Sequence, residues 1–278
     1  MSEYLTPASI QALLSRHGLR PSRALGQNFL ADGNTARKIA RLANVGADSC
    51  VVEVGPGLGS LTVALCDAGA RVTAVELDQF LLPILAERTA QLNVNIVAGD
   101  ALTIDWNALL GCERWTMVAN LPYNVATPML MRAIEVAPMI DRYLVMVQRE
   151  VGARLAAGPG SRVHGAVSVR LAYWATAKVV GSVPATVFVP RPNVESALVE
   201  VVRLAEPAVV VPDRARLFTL IAAGFATRRK SLRQSLRSVL GDRTDAVLAE
   251  AAIPGLERAE TLGIHGWARV ALADAIVQ

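Results

Sequence analysis

Cysteine, histidine and aromatic residues are all scarce in this sequence, and their scarcity argues against several kinds of site. The 278 residues include three cysteines and three histidines, and only 5% of them are aromatic. Cys50, Cys66 and Cys112 are widely spaced and form no CxxC pair, and the histidines are equally scattered. We therefore expect reduced, mostly buried thiols and no bound metal, rather than disulfides or a metal centre.

Several motifs and segment types are missing as well. The sequence contains no GxSxG, HExxH or GxxxxGK[ST] motif, so triad hydrolysis, zinc-protease chemistry and P-loop phosphoryl transfer lose their usual signatures. Although 53% of the residues are hydrophobic, no uninterrupted apolar stretch approaches the roughly 18 residues that a membrane-spanning helix needs. The N-terminal segment also lacks the basic-then-apolar order of a signal peptide. These absences predict a cytoplasmic protein.

The charge of the chain is mildly positive. A net charge of +4 and a pI near 9.2 permit a nucleic-acid partner but do not require one. The length suits one large domain, or one domain with a small appendage.

The central part of the sequence alternates between short β-rich runs and amphipathic helical runs. Strands are predicted in SCVVEVG, ARVTAVE, VNIVAGD, RWTMVAN and RYLVMVQ, and helices in LGSLTVALCDAG, DQFLLPILAERTAQL and VATPMLMRAIEV. This alternation is typical of a parallel, doubly wound sheet. AKVVGSV and SALVEVV, joined by a proline-rich loop instead of a helix, predict an antiparallel hairpin at one edge.

The two ends of the chain are predicted to be helical. Thr6 and Asp32 are expected to cap two N-terminal helices, with the basic loop RPSRALGQNFL between them. After about Leu204 every segment has a helical period, so we predict a first domain over residues 1–204 and a small all-α domain over residues 205–278.

A glycine-rich turn and two acidic residues indicate a ligand site in the first domain. Residues 55–59 read Gly-Pro-Gly-Leu-Gly where the strand VVEVG should end, and such a turn lets a ligand approach backbone N–H groups. Glu76 and Asp100 follow the next two strands, at the edge where open α/β sheets bind ligands. NAD stays possible, but Ser60 replaces a glycine of the dinucleotide fingerprint and no second glycine turn follows, so a nucleoside cofactor fits better.

The segment NLPY, which ends the strand RWTMVAN, combines groups suited to a nucleobase with an exocyclic amine. Such an amine is a poor nucleophile because its lone pair is delocalised into the ring, and acceptors of its hydrogen bonds would draw the nitrogen toward tetrahedral geometry. Asn120 offers a side-chain carbonyl oxygen for this purpose, while Pro122 fixes the backbone without a competing N–H. Tyr123 offers a flat face on which an extruded base could stack.

The order of these motifs along the chain resembles that of the ribosomal RNA small-subunit adenine N6-dimethyltransferase family. The resemblance covers nearly the whole chain, and the matching segments are GQNFL, VEVGPGLGSLT, VELD, GDAL, NLPYNVATP, FVPRPNVES and FATRRKSLRQSL. It implies an α/β class fold, that of a Rossmann-like S-adenosyl-L-methionine-dependent methyltransferase, with a helical C-terminal RNA-binding domain. The activity it implies is dimethylation of two adjacent adenosines in a hairpin loop near the 3′ end of 16S rRNA.

The resemblance also implies roles for individual residues. Residues implied to bind the methyl donor, S-adenosyl-L-methionine, are Asn28, Leu30, Gly55, Gly57, Glu76, Asp100 and Asn120. Those implied to form the catalytic pocket are Asn120, Leu121, Pro122, Tyr123 and Phe188, with the Leu121 carbonyl as second acceptor and Phe188 as the wall opposite Tyr123. The implied partner is small-subunit ribosomal RNA within an immature 30S particle. The enzyme itself is implied to be a monomer.

Basic residues are concentrated in two regions of the sequence. FATRRKSLRQSLRSVL holds five basic residues and no acid, and the spacing of Arg229, Arg233 and Arg237 predicts one stripe on a helix. A second cluster surrounds the GQNFL loop. The residues predicted to bind RNA phosphates are Arg20, Arg23, Arg228, Arg229, Lys230 and Arg233.

Three alternative functions stay open at this point. A resistance-type dimethyltransferase of large-subunit rRNA would share NLPY-like motifs, and a non-catalytic ribosome-assembly or transcription factor could keep the same fold. An NAD-dependent enzyme is the third.

Overall fold

The computed structural model of the protein describes residues 4–111, 113–227 and 229–277. Cys112 and Arg228, for which the sequence makes predictions, lie outside the described residues. The strands are β1 (Phe29–Leu30), β2 (Cys50–Val54), β3 (Arg71–Glu76), β4 (Val94–Ala98), β5 (Trp115–Asn120), β6 (Ile140–Gln148), β7 (Ala175–Val183), β8 (Phe188–Val189) and β9 (Ser196–Arg203).

The helices of the described residues follow the predicted alternation. They are α1 (Pro7–Arg16), α2 (Gly33–Ala43), α3 (Ser60–Asp67), α4 (Leu82–Thr89), α5 (Trp106–Leu110), α6 (Ala126–Val136), α7 (Arg149–Leu155), α8 (Ala166–Trp174), α9 (Arg214–Phe225), α10 (Leu232–Leu240), α11 (Thr244–Glu250) and α12 (Ile264–Ile276). None of them is long and apolar enough to cross a membrane, as far as the described ranges show.

The larger sheet is mostly parallel and brings the functional strand ends together. Its strand order is β4-β3-β2-β5-β6-β9-β7, and the pairings from β4 through to β6 are parallel. β9 pairs antiparallel with β6 and lies next to β7, so an antiparallel strand is present near the predicted edge. The predicted α/β fold is confirmed, and the carboxyl ends of β2, β3, β4 and β5 lie at one edge.

Local capping explains where the two N-terminal helices begin. The Thr6 side chain accepts a hydrogen bond from the Ser9 N–H in a reciprocal capping box. Asp32 accepts hydrogen bonds from the backbone N–H groups of Asn34 and Thr35 at the start of α2. Both predicted caps are therefore confirmed.

The core next to the sheet is formed by strand residues that face helices α2 and α3. Val51, Val72 and Val118 come from three neighbouring strands and are fully buried. Ile39 of α2 and Leu65 of α3 pack in the same cluster. Their burial removes apolar surface from water and holds the strands in register.

The described residues fall into two units by their internal contacts. The first comprises residues 4–152 and 178–203, and the second comprises residues 153–177 and 204–277. Segment 153–177, which the sequence analysis places in the first domain, thus groups with the C-terminal helices. The physical reason is that Val169 and Tyr173 of α8 belong to the same buried cluster as the helices that follow residue 204. The division into two folding domains stays a prediction.

The second unit is built around Trp267, whose side chain is fully buried. Gly224 on α9 allows this close packing, because a Cβ atom there would clash with the Trp267 ring. Leu232, Leu236 and Leu240 of α10 are buried in the same cluster.

The predicted arginine stripe is wrong in one part. Helix α10 begins at Leu232 with Ser231 as N-cap, and the Lys230 N–H closes a turn onto the Thr227 carbonyl. Arg229 therefore lies before the helix, so it cannot share a face with Arg233 and Arg237. The N-cap position of Ser231 marks the start of the helix, which the arginine spacing alone does not reveal.

Candidate active site

A cavity of about 310 Å³ opens at the carboxyl edge of the sheet, within the size range of small-molecule sites. Its lining includes residues 24–30, 53–58, 75–77, 99–102 and 120–125. Ten of the predicted site residues thereby come together: Asn28, Leu30, Gly55, Gly57, Glu76, Asp100, Asn120, Leu121, Pro122 and Tyr123.

The glycine turn after β2 has a backbone that side chains rarely adopt. Gly55, Gly57 and Gly59 have φ angles of 67°, 57° and 79°. A Cβ atom at Gly57 would also lie 3.0 Å from the Phe29 ring. These positions therefore favour glycine, and the Gly57 N–H is directed to the Glu76 carboxylate at the cavity wall.

Glu76 is held in place by two backbone donors. Its Oε2 accepts a hydrogen bond from the Gly57 N–H at 2.9 Å, and its Oε1 accepts one from the Asp78 N–H at 2.9 Å. Burial raises the pKa of the Glu76 carboxyl, while these N–H donors act in the opposite direction. The carboxylate keeps further acceptor positions for a ligand's hydroxyl groups.

The orientation of the Asn120 amide is fixed by its neighbour. Its Nδ2 donates a hydrogen bond to the Asn28 carbonyl at 3.0 Å. Because a carbonyl oxygen can only accept, the amide nitrogen must face it, and Oδ1 of Asn120 points the other way. This contact joins residues 92 positions apart, and both line the cavity.

Tyr123 and Asp100 are also restrained. The Tyr123 hydroxyl lies 2.6 Å from Oγ of the fully buried Ser196, and burial raises the pKa of the phenol. Oδ1 of Asp100 accepts a hydrogen bond from the Leu102 N–H at 2.9 Å. Each side chain is thus held by a hydrogen bond, and both residues still line the cavity.

Phe188 is not among the residues that line the cavity. Its side chain is 3% exposed and belongs to the buried cluster around α2 and α3. The residue pairs with Leu30 across the short β1–β8 sheet. Its predicted role as a wall of the base pocket stays a prediction.

Glu53 also lines the cavity, although it is not among the site residues predicted from the sequence. This residue is 1% exposed, and its Oε2 accepts a hydrogen bond of 2.6 Å from the Thr62 hydroxyl. Burial raises the pKa of Glu53 to about 8, and the nearby Glu76 adds to the rise, whereas Thr62 opposes it. The sequence feature that could have identified Glu53 is an acidic residue within the otherwise apolar strand CVVEV.

The predicted RNA-binding residues are exposed where they are described. Arg20 and Arg23 lie just before the cavity-lining segment 24–30. Arg229 and Lys230 are exposed in the second unit, and Arg233 forms an ion pair of 2.6 Å with Asp245. Exposed ion pairs of this kind are weak, so the pair with Asp245 does not rule out the phosphate contact of Arg233, which stays a prediction.

Among the described residues, no group of three or more histidine, cysteine, aspartate or glutamate side chains could hold a metal ion. Glu76 and Asp100, the two acids predicted for this site, each accept a backbone hydrogen bond.

A mostly parallel seven-stranded sheet, with a glycine turn and an acid at the ends of adjacent strands, defines the Rossmann-like class of nucleoside-binding α/β folds. The chain belongs to the ribosomal RNA adenine dimethylase family, whose sequence profile matches residues 19–273. The enzyme class predicted from the sequence is thereby confirmed, and the NAD-dependent alternative is wrong.

Named relatives are similar over nearly the whole chain. The ribosomal RNA small subunit methyltransferase A of Streptomyces coelicolor is 44% identical over 280 residues, which cover 96% of each chain. The protein of the same name from Cutibacterium acnes is 45% identical over 285 residues, covering 98% of this chain and 95% of the relative.

Solved structures share the fold. The crystal structure of the 23S rRNA methyltransferase ErmE matches with a TM-score of 0.67 and 26% identity, over 89% of this chain and all of the other. A dimethyladenosine transferase from Plasmodium falciparum matches with a TM-score of 0.74 and 20% identity, over 87% of this chain and 95% of the other.

Proposed function

We propose that this protein transfers methyl groups from S-adenosyl-L-methionine to N6 of two adjacent adenosines in a hairpin loop near the 3′ end of 16S rRNA. The observation that carries the proposal is the cavity, which joins the acids at the ends of β3 and β4 to the NLPY segment at the end of β5. We further propose that the cytoplasmic enzyme acts as a monomer on an immature small subunit.

The donor end of the cavity suits a nucleoside with a short extension. Glu76 can accept hydrogen bonds from ribose hydroxyls, since its two oxygens are already aligned by backbone N–H groups. Gly55, Gly57, Asn28 and Leu30 complete the contacts, and Asp100 can accept from an adenine amine. When bound, the donor supplies an electrophilic methyl carbon attached to a sulfonium.

The acceptor end suits an extruded adenine. Oδ1 of Asn120 and the Leu121 carbonyl can accept the two hydrogen bonds of the N6 amine, which draws its lone pair out of conjugation. Pro122 holds the backbone between them, and Tyr123 provides a stacking face, worth about 1–3 kcal/mol per base. No strong base is needed, because transfer depends on positioning.

The test is a reaction of purified protein with labelled donor and immature small subunits, followed by mass mapping of modified adenosines. Label on two adjacent adenosines near the 3′ end of 16S rRNA is the expected result. Binding of the particle without transfer of label would instead favour the non-catalytic assembly factor.

A second candidate, methylation of large-subunit rRNA, is favoured by the 26% identity to the 23S rRNA methyltransferase ErmE. The relatives at 44–45% identity favour the small subunit. Primer extension on both RNAs after the reaction distinguishes the two substrates, because dimethylated adenosines stop the polymerase.

Changing Glu76→Gln is expected to weaken donor binding about 10- to 100-fold, the range for losing one hydrogen bond to a charged group. The reason is that glutamine carries no charge and has only one side-chain oxygen, so it cannot accept from the Gly57 N–H, the Asp78 N–H and a ribose hydroxyl as the carboxylate can. Isothermal titration of the donor measures the effect. Glu87→Gln, an exposed change on α4, is the matched control, and equal affinity of the two variants would contradict the role of Glu76.

RNA affinity is expected to fall steeply with salt. Each phosphate contact contributes about 0.7 to the slope of log K against log salt for single-stranded RNA. Arg23→Gln and Arg229→Gln should each lower the slope by about that amount. Fluorescence anisotropy at several salt concentrations provides the measurement.

Arg114→Gln is the control for these changes. Arg114 is exposed and precedes β5, at the end of the strand opposite the cavity. A slope that stays at the wild-type value in the Arg23 and Arg229 variants would refute their assignment to phosphate contacts.

A further inference from the structure

A loop formed by residues 22–28, here called the N-terminal loop, bridges the ends of two sheet strands. On one side, Nε2 of Gln27 donates a hydrogen bond to Oδ2 of Asp78, just after β3, at 2.7 Å. On the other side, Asn124, which follows β5, donates a hydrogen bond from its Nδ2 to the Ala24 carbonyl at 2.9 Å. The loop therefore lies between the proposed donor end and the proposed base end of the cavity.

The loop has its own internal order. The Ser22 N–H donates to Oε1 of Gln27 at 2.7 Å, and the Gln27 N–H donates to the Ser22 carbonyl at 3.1 Å. Nδ2 of Asn28 donates to the Gly26 carbonyl at 3.1 Å. These bonds define the shape of the loop, whereas its position against the sheet depends on the outward contacts.

Asn124 also packs closely against Gly26 of the N-terminal loop, in addition to its hydrogen bond to Ala24. Gly26 has a φ angle of 65°, and a Cβ atom there would lie 2.7 Å from Oδ1 of Asn124 and 3.4 Å from the Tyr123 nitrogen. The amide nitrogen must face the Ala24 carbonyl, which only accepts, so the oxygen is directed toward Gly26. The nitrogen and the oxygen of the Asn124 amide thus both face the N-terminal loop.

We propose that Asn124 is a positioning residue of the methyl-donor site: its amide holds the N-terminal loop, and with it the donor-binding residues Asn28 and Leu30, against the NLPY segment. Asn124 itself takes no part in methyl transfer. This inference rests on the proposed function, because it assumes that the donor binds in the cavity.

Asn124→Ala should loosen the N-terminal loop without unfolding the protein, since Asn124 is exposed. In the donor-free protein, we expect faster hydrogen–deuterium exchange in peptides that cover residues 20–30, with an unchanged melting temperature. Donor affinity should fall about 3- to 10-fold, as expected for one neutral hydrogen bond. Asn124→Asp should behave in the same way, because a carboxylate cannot donate to the Ala24 carbonyl.

The exchange measurement separates positioning from direct contact. Asn124 also lines the cavity, so a loss of donor affinity alone could reflect a lost contact with the ligand. Exchange in the donor-free protein is independent of any such contact. Asn107→Ala, an exposed asparagine on α5 that does not line the cavity, is the matched control and should leave both measurements unchanged.

Gly26→Ala provides a second test through a double-mutant cycle. Its Cβ atom should displace the Asn124 side chain, so Gly26→Ala should cost less donor affinity in the Asn124→Ala background than in the wild type. Gly18→Ala isolates the backbone strain, because Gly18 has the same φ angle of 65° with nothing within 4 Å of the added atom. Its effect should be equal in both backgrounds.

The outcomes distinguish the inference from the function on which it rests. A wild-type protein that binds no donor would overturn the proposed function and the positioning role with it. If the wild type binds donor but Asn124→Ala exchanges and binds like the wild type, only the inference is overturned. Additive effects of Gly26→Ala and Asn124→Ala would overturn it as well.

Discussion

Replacing Asn120 by alanine is expected to lower the rate of methyl transfer about 100- to 1000-fold at saturating donor, the range for removing one preorganised polar group that stabilises a transition state. The change deletes Oδ1, the acceptor that draws the adenine amine toward tetrahedral geometry. It also deletes the hydrogen bond to the Asn28 carbonyl, so donor affinity should fall a few-fold. Single-turnover transfer of labelled methyl groups to immature small subunits measures the rate.

Two further variants sharpen this prediction. Asn120→Asp keeps an acceptor oxygen but cannot donate to the Asn28 carbonyl, so its rate should lie between those of the wild type and the alanine variant. Asn107→Ala removes an exposed amide on α5 that does not line the cavity, and it should leave the rate unchanged. Undiminished turnover of Asn120→Ala with a folded, donor-saturated protein would refute the assigned chemistry.

The sequence predicted the parts of the site that depend on local pattern. Glu76 and Asn120 each end a predicted strand, and parallel strands bring their carboxyl ends to one edge. The glycine turn at residues 55–59 was visible for the same reason. Ten predicted site residues therefore meet in one cavity, although no local pattern could give their distances.

The parts that the sequence did not reveal depend on contacts between distant residues. The Asn120–Asn28 and Asn124–Ala24 hydrogen bonds join positions 92 and 100 residues apart. Nothing local marks either pair, because an asparagine in a loop is compatible with an ordinary turn. Segment 153–177 was likewise assigned from its position in the chain, whereas its grouping follows from the apolar face of α8.

Glu53 was missed because an acid within a strand can be either exposed at an edge or buried beside a partner. β2 is a central strand, flanked by β3 and β5, and its residues 51–54 are all buried. The Thr62 hydroxyl that meets Glu53 comes from α3, the helix that follows the glycine turn. The carboxyl thus connects the strand before the turn with the helix after it.

Glu53→Gln is expected to change how the stability of the protein depends on pH. The pKa of Glu53 is raised to about 8 from an ordinary value of 4.5, so the folded state holds a proton that the unfolded state has released. Its contribution to stability is therefore fully present below about pH 4.5 and is lost as the pH rises through about 8. Between about pH 5 and pH 8.5, the wild type should lose on the order of 4 kcal/mol of unfolding free energy relative to Glu53→Gln.

Urea unfolding at several pH values measures this difference, and two further variants test its cause. Glu87→Gln removes an exposed carboxyl and should give a curve parallel to that of the wild type. Thr62→Val removes the hydrogen bond that favours the charged carboxylate, so the pKa of Glu53 should rise and the loss of stability should extend to higher pH. If the wild type and Glu53→Gln gave parallel curves, Glu53 would be ionised in the folded protein. The strand that leads into the glycine turn would then hold a buried charge rather than a neutral carboxyl.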